Sequence, residues 1–152
     1  MDTTKISIKR LESIRVASVI AYGTEPEHEG IAKLEAWAEG LGIWDDPTQR
    51  IFGFDNPIPS AGTPNHGYEF WLTVGPEVVE SGEIRIKTFE GGLYAIALFE
   101  HDMSDPWHTI PAAWQELDEW VGKSAYHSAR HTCLEQHDYL GNLKYLWYPI
   151  EQ

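Results

Sequence analysis

Two stretches of this chain carry the same helical signature, and the elements around them follow the same order. Leu34-x-x-Trp37 lies between Glu27 and Gly42, where Ile31, Leu34, Trp37, Ala38 and Leu41 recur at offsets of three and four. That spacing predicts an amphipathic helix, stopped by Gly40 and Gly42. Leu117-x-x-Trp120 lies in a second such segment, about Trp107 to Val121, with Ile110, Trp114, Leu117 and Val121 in helical register and Gly122 after them. Pro111 falls in its first turn, where proline is tolerated. Apolar, β-branched runs flank both helices: Ile14 to Ala21, Ile51 to Phe54, Tyr68 to Val74 and Glu83 to Phe89, then Leu93 to Glu100, Thr132 to His137 and Leu143 to Ile150. Each reads as a strand. The stretch from Asn56 to Gly67, rich in Pro and Gly, is a long exposed loop.

Each half therefore contains the order strand–helix–strand–strand, with Glu83 to Phe89 following it in the first half, and a duplicated unit narrows the choice of fold sharply. The expected fold is α+β. Two pseudo-symmetric β-α-β-β units, about residues 14–89 and 92–150, form a mostly antiparallel sheet with a central ligand groove and the helices on the outer side. Residues 1–12 are expected to be a loose polar arm, and 13–152 a single domain. A chain of 152 residues buries roughly two-thirds of its unfolded surface and needs no covalent staple.

Charge narrows the partners. Lys plus Arg is 11 against 24 Asp plus Glu, a net charge of −13. Such a surface repels phosphate backbones and anionic lipid, so neither direct nucleic-acid binding nor membrane binding is expected. A cationic or neutral small molecule is favoured. The lone Cys133 excludes an internal disulfide framework and four-cysteine zinc modules, and the polar N-terminus lacks a signal-peptide core. A cytoplasmic protein without a cofactor is expected. Some of the seven Trp, seven Tyr and five Phe must be core, but this much aromatic mass in a small acidic chain also suits a π-lined pocket.

Alternation then selects candidate site residues. In Tyr68 to Val74, the residues Tyr68, Phe70, Leu72 and Val74 share an apolar face, while Glu69, Trp71 and Thr73 face the other way. A carboxylate beside an indole is what an amphipathic cation needs: charge for charge, and ring face for cation. In the last strand, Leu146, Tyr148 and Ile150 mark the core face, leaving Tyr145 and Trp147 opposite. Glu135 lies on a half-buried strand, where a carboxylate needs a reason. Glu69, Trp71, Glu135, Tyr145 and Trp147 are thus expected on one side of a sheet, as an aromatic cage with two carboxylates. The His131, Cys133, Glu135, His137 run does not imply a metal, because same-face neighbours sit about 6.5 Å apart along a strand and only two could ligate together. No nucleophile elbow, Walker loop, dinucleotide fingerprint or zincin motif is present.

Seven short motifs, in order from about residue 12 to 152, resemble the GyrI-like effector-binding family found in AraC-type and other multidrug-responsive regulators and as stand-alone proteins. They are Arg15-Val16-Ala17, the Leu-x-x-Trp helices, Arg50-Ile51-Phe52-Gly53-Phe54 with Asn56-Pro57, and Gly67-Tyr68-Glu69-Phe70-Trp71. Gly91-Gly92-Leu93-Tyr94-Ala95, Cys133-Leu134-Glu135-Gln136-His137 and Tyr148-Pro149-Ile150 complete the set. The resemblance implies a groove in which Glu135 meets a cationic or polar aromatic ligand, with Trp147 as the terminal-strand aromatic. It also implies two alternatives. One is a hydrolase of cyclopropane-bearing toxins, with Glu135 or Glu69 acting with Tyr145; the other is a protein inhibitor of the gyrase type. Binding ranks ahead of both, with Glu135 as the counter-charge and no catalytic residue assigned. A homodimer and a separate DNA-binding partner are both compatible with the sequence.

Overall fold

The computed structural model describes residues 5–57, 62–100 and 104–152. Among them the chain runs β1 (Ile6–Leu11), β2 (Ile14–Gly23), α1 (Pro26–Gly40), β3 (Ile51–Asp55), β4 (His66–Thr73), β5 (Arg85–Phe89), β6 (Gly92–Leu98), α2 (Pro106–Gly122), β7 (His127–Ser128), β8 (Leu134–His137) and β9 (Leu143–Glu151). The fold is α+β and its strand pairing is mostly antiparallel.

Contacts divide the chain into two compact units. One holds Ile14–Phe89 and His137–Asn142; the other holds β1, Glu90–Gln136 and Leu143–Gln152. In the α1 unit the strand order is β3-β4-β2-β5. Helix α1 covers one face of that sheet. Its buried stripe Gly30, Leu34 and Ala38 is built into a core with Ala17, Val19, Ile51, Tyr68, Phe70 and Leu72. In the α2 unit the order is β8-β9-β6-β1, with β7 on β9. The stripe Ala113, Leu117 and Val121 of α2 joins Ala95, Ala97, Leu146 and Ile150 in a second core. Leu34 and Leu117, the leucines of the shared signature, are both fully buried.

Three sequence expectations change. The polar arm becomes strand β1 over Ile6–Leu11, hydrogen-bonded antiparallel to β6; residues 1–4 lie outside the described residues. Ile6 and Ile8 pack on the α2 core, so a two-residue alternation supplies a buried face despite the polar residues between. Pro111 lies inside α2, which begins at Pro106, so the helix gives up one backbone hydrogen bond in its second turn. The strand expected from Thr132 starts at Leu134, because the backbone before it serves side chains instead. The Thr132 carbonyl accepts the Tyr94 hydroxyl at 2.6 Å. Part of the loop read over Asn56 to Gly67, residues 58–61, lies outside the described residues.

The repeat also has a feature the helices do not reveal. Ile6-x-Ile8-Lys9 in β1 recurs as Ile84-x-Ile86-Lys87 at β5. Strand β1 precedes β2 in the chain but pairs with β6, whereas β5 precedes β6 but pairs with β2. Each unit thus takes its edge strand from the chain leading into the other repeat.

Candidate ligand-binding site

On the face of the α1 unit turned away from its helix, β4 presents Glu69 and Trp71. Register sets their neighbours: Ile20 of β2 and Phe54 of β3 oppose Glu69, and Ser18 and Phe52 oppose Trp71. Glu69 is 1% exposed, so its carboxylate needs donors. It has four. Oε2 accepts Ser18 Oγ at 2.6 Å, Trp71 Nε1 at 2.6 Å and Lys87 Nζ at 2.8 Å, and Oε1 accepts Asn56 Nδ2 at 2.8 Å. Burial pushes this carboxyl up, but the four donors, led by Lys87, outweigh it and hold the group below the usual carboxylate range.

Local backbone geometry brings the donors in. Asn56 follows β3, and its amide donates to the Gly67 carbonyl at 3.0 Å. A Cβ on Gly67 would stand 2.0 Å from the Asn56 carbonyl oxygen, so only glycine lets the two chains approach and lets Asn56 reach Glu69. Around the carboxylate lie aromatic rings. Trp71 meets Phe54 edge-on at 4.9 Å and Phe89 at 5.1 Å between centroids. Ile20 and Tyr22, on the same face of β2, are 50% and 58% exposed.

The remaining candidates lie in the α2 unit. Trp147 and Tyr145 share the β9 face away from α2. Trp147 is buried against Tyr94, 5.4 Å between centroids, and donates to Gln136 Oε1 at 3.0 Å. Tyr145 is 38% exposed. Glu135 is not brought to this face. With Gln136 pointing to Trp147, alternation sends Glu135 to the opposite side, where it accepts Trp114 Nε1 of α2 at 3.1 Å. Within the α2 unit the expected cage residues therefore divide into Tyr145 with Trp147 on one face and Glu135 on the other. Alternation within a strand fixes which residues share a face; only pairing with the neighbouring strand decides which face that is.

Ser18, Asn56 and Lys87 went unselected in the sequence. Ser18 had a signal: one hydroxyl in the apolar run Val16-Ala17-Ser18-Val19-Ile20 asks for a buried partner. Lys87 looks like any charge on an edge strand, and Trp114 like core.

The GyrI-like small molecule binding domain profile matches residues 4–139, nearly the whole chain. The protein belongs to this family. The GyrI-like fold recurs in the C-terminal domain of EcmrR, with TM-score 0.66, 14% identity and 97% of each chain covered. It recurs also in EcmrR bound to DNA in the EcmrR-RPo complex, with TM-score 0.68 and 14% identity. That alignment covers 97% of this chain but 57% of the EcmrR chain, so this chain spans little more than half its length. SAV2435 bound to tetraphenylphosphonium aligns with TM-score 0.55 and 11% identity over 96% of this chain and 93% of its own. A hydrolase from Listeria innocua gives 0.55 and 13% over 97% and 92%. At such identities the likeness is one of fold. A search of curated proteins found no match. Among the described residues, no helix is long and apolar enough to cross a membrane.

Proposed function

We propose that this GyrI-like domain binds an amphipathic, aromatic small molecule carrying a positive charge, on the non-helical face of the α1 unit. The ligand's aromatic part lies against exposed Ile20 and Tyr22 and the rings of Phe54 and Phe89, and its cationic group is drawn to Glu69. The observation that carries this reading is an almost completely buried carboxylate, held by four hydrogen bonds, beside exposed apolar side chains. A buried negative charge next to ring faces favours cations over neutral analogues, and the net charge of −13 adds long-range attraction.

Binding is favoured over turnover by the same geometry. A carboxylate offers about four acceptor positions, and those of Glu69 meet four donors. It has little capacity left to take a proton from a water or hydroxyl, and as an ionised group it has none to give. The hydroxyl that donates to Glu69 is the aliphatic one of Ser18, whereas a hydrolase of the expected kind would use an aromatic hydroxyl.

Isothermal titration of tetraphenylphosphonium, with triphenylphosphine oxide as the uncharged comparison, tests the reading. Wild type should prefer the cation. Glu69→Gln should cost about 1.5 kcal/mol or more of cation binding, the low end for a charged contact, and leave the oxide unaffected. Glu135→Gln, on the helix-covered side, should leave both unchanged. Loss of cation binding in Glu135→Gln but not in Glu69→Gln would move the site to the α2 unit.

A further inference from the structure

Of the four donors on Glu69, Lys87 differs from the rest in charge and in freedom. Ser18 is 2% exposed on an inner strand, flanked by β4 and β5. Trp71 is 5% exposed and wedged between Phe54 and Phe89. Asn56 is tied through its backbone to Gly67. These three are fixed by the fold. Lys87 stands on β5, the edge strand of the unit, with 43% of its side chain exposed. Its ammonium sits at the end of a flexible four-carbon stem that regains rotamer freedom and hydration when it swings out.

We propose that Lys87 is the site's internal counter-ion and decides which ligands enter: a ligand's cationic group reaches Glu69 by replacing the Lys87 ammonium. This rests on the reading that the face binds a charged small molecule. An uncompensated buried carboxylate is strongly unfavourable, so Lys87 leaves only when another positive charge arrives. A neutral aromatic molecule can lie on Ile20 and Tyr22 but cannot displace the lysine. The exchange is charge for charge, and Ser18, Trp71 and Asn56 keep the carboxylate in place throughout.

The repeat supplies an internal comparison. Lys9 holds the position of Lys87 in the shared Ile-x-Ile-Lys motif and is exposed on β1 with no ion pair among the described residues. An edge lysine at this point of the repeat is ordinary; one folded onto a buried carboxylate is not.

Titration of tetraphenylphosphonium and triphenylphosphine oxide into wild type, Lys87→Met, Glu69→Gln, the double variant and Lys9→Met tests the exchange. Lys87→Met should bind the cation at least tenfold more tightly than wild type and bind the oxide equally. The double variant should lose the gain, and Lys9→Met should match wild type. If Lys87→Met does not fold, as read by its thermal melt, Lys87→Gln replaces it and should give a smaller gain in the same direction. Unchanged or weaker cation binding on loss of the lysine, with wild-type binding still dependent on Glu69, overturns the exchange and leaves the binding face standing. Binding that is absent throughout, or indifferent to Glu69, overturns both.

Discussion

Ser18, His66 and Glu69, buried polar residues of the α1 unit, come with their partners, and His137 shows what a poorly matched one does. Its Nε2 meets the Tyr68 hydroxyl at 2.9 Å, its ring packs at 5.3 Å from Phe70, and its Nδ1 has no hydrogen-bond partner among the described residues. Burial pushes this imidazole down to about 4, so it is neutral in the folded protein. Between that value and the usual histidine pKa of about 6.5 the unfolded chain binds a proton that the folded chain does not. Stability from this group is complete above pH 6.5 and falls as the pH drops through that window. From pH 7 to pH 5 the loss should be roughly 2 kcal/mol in urea unfolding, and His137→Gln should remove most of that slope. His66 acts in the other direction. Burial pulls its pKa down, but the Glu27 carboxylate at 2.9 Å raises it above the ordinary value on balance. Its contribution is full at low pH and disappears as the pH rises through the folded pKa. Glu69, held low, stabilises above the ordinary carboxylate range and is lost only in stronger acid.

At the scale of elements, β3 and β4 depend on a missing side chain. A Cβ on Gly53 would come within 2.3 Å of the Tyr68 ring, and Tyr68 is 2% exposed beneath α1. Gly53→Ala must displace that ring or spread the strands, and overpacking of this kind costs about 1–3 kcal/mol. Its denaturation midpoint should fall accordingly, with a weaker His137 hydrogen bond visible as a rise in that residue's pKa by NMR. The helices make a paired case. Leu34→Ala and Leu117→Ala each empty the same position in one of the two cores and should each cost about 2–5 kcal/mol. Local hydrogen-exchange protection should drop first in the unit that carries the substitution. Both helices, the buried leucine at the centre of each, and seven of the strands among the described residues were legible because periodicity reports a face directly. Leu41, however, read as part of the α1 face, falls past the helix end at Gly40 and is 54% exposed. Strand β1 was missed because its alternation covers only Ile6 and Ile8 among polar residues, and β7 because two residues carry no period at all.

For the whole molecule, the charge of −13 acts at a distance that no single contact covers. Capture of a cationic ligand should therefore be salt-sensitive. In stopped-flow tryptophan quenching, the association rate for tetraphenylphosphonium should fall between 20 and 500 mM salt as the screening length shrinks to a few Å. The dissociation rate, set at the buried carboxylate, should change little. An association rate indifferent to salt would mean that the acidic residues keep the protein soluble and do not steer its ligand.

The sequence by itself determined the fold class, the repeat, the helices and their buried leucines. It also determined that Glu69 and Trp71 share a strand face, since two-residue and 3.6-residue periods are local properties of the chain. Only the tertiary structure decided which strand faces come together. Gln136, one residue from Glu135, meets Trp147, so Glu135 turns to Trp114, and a slip of one position would have reversed both. The other three donors of Glu69 also converge only through folding: Ser18, Asn56 and Lys87 come from three other strands or their ends. Their meeting depends on antiparallel register and on the close approach at Gly67, which no short-range pattern encodes.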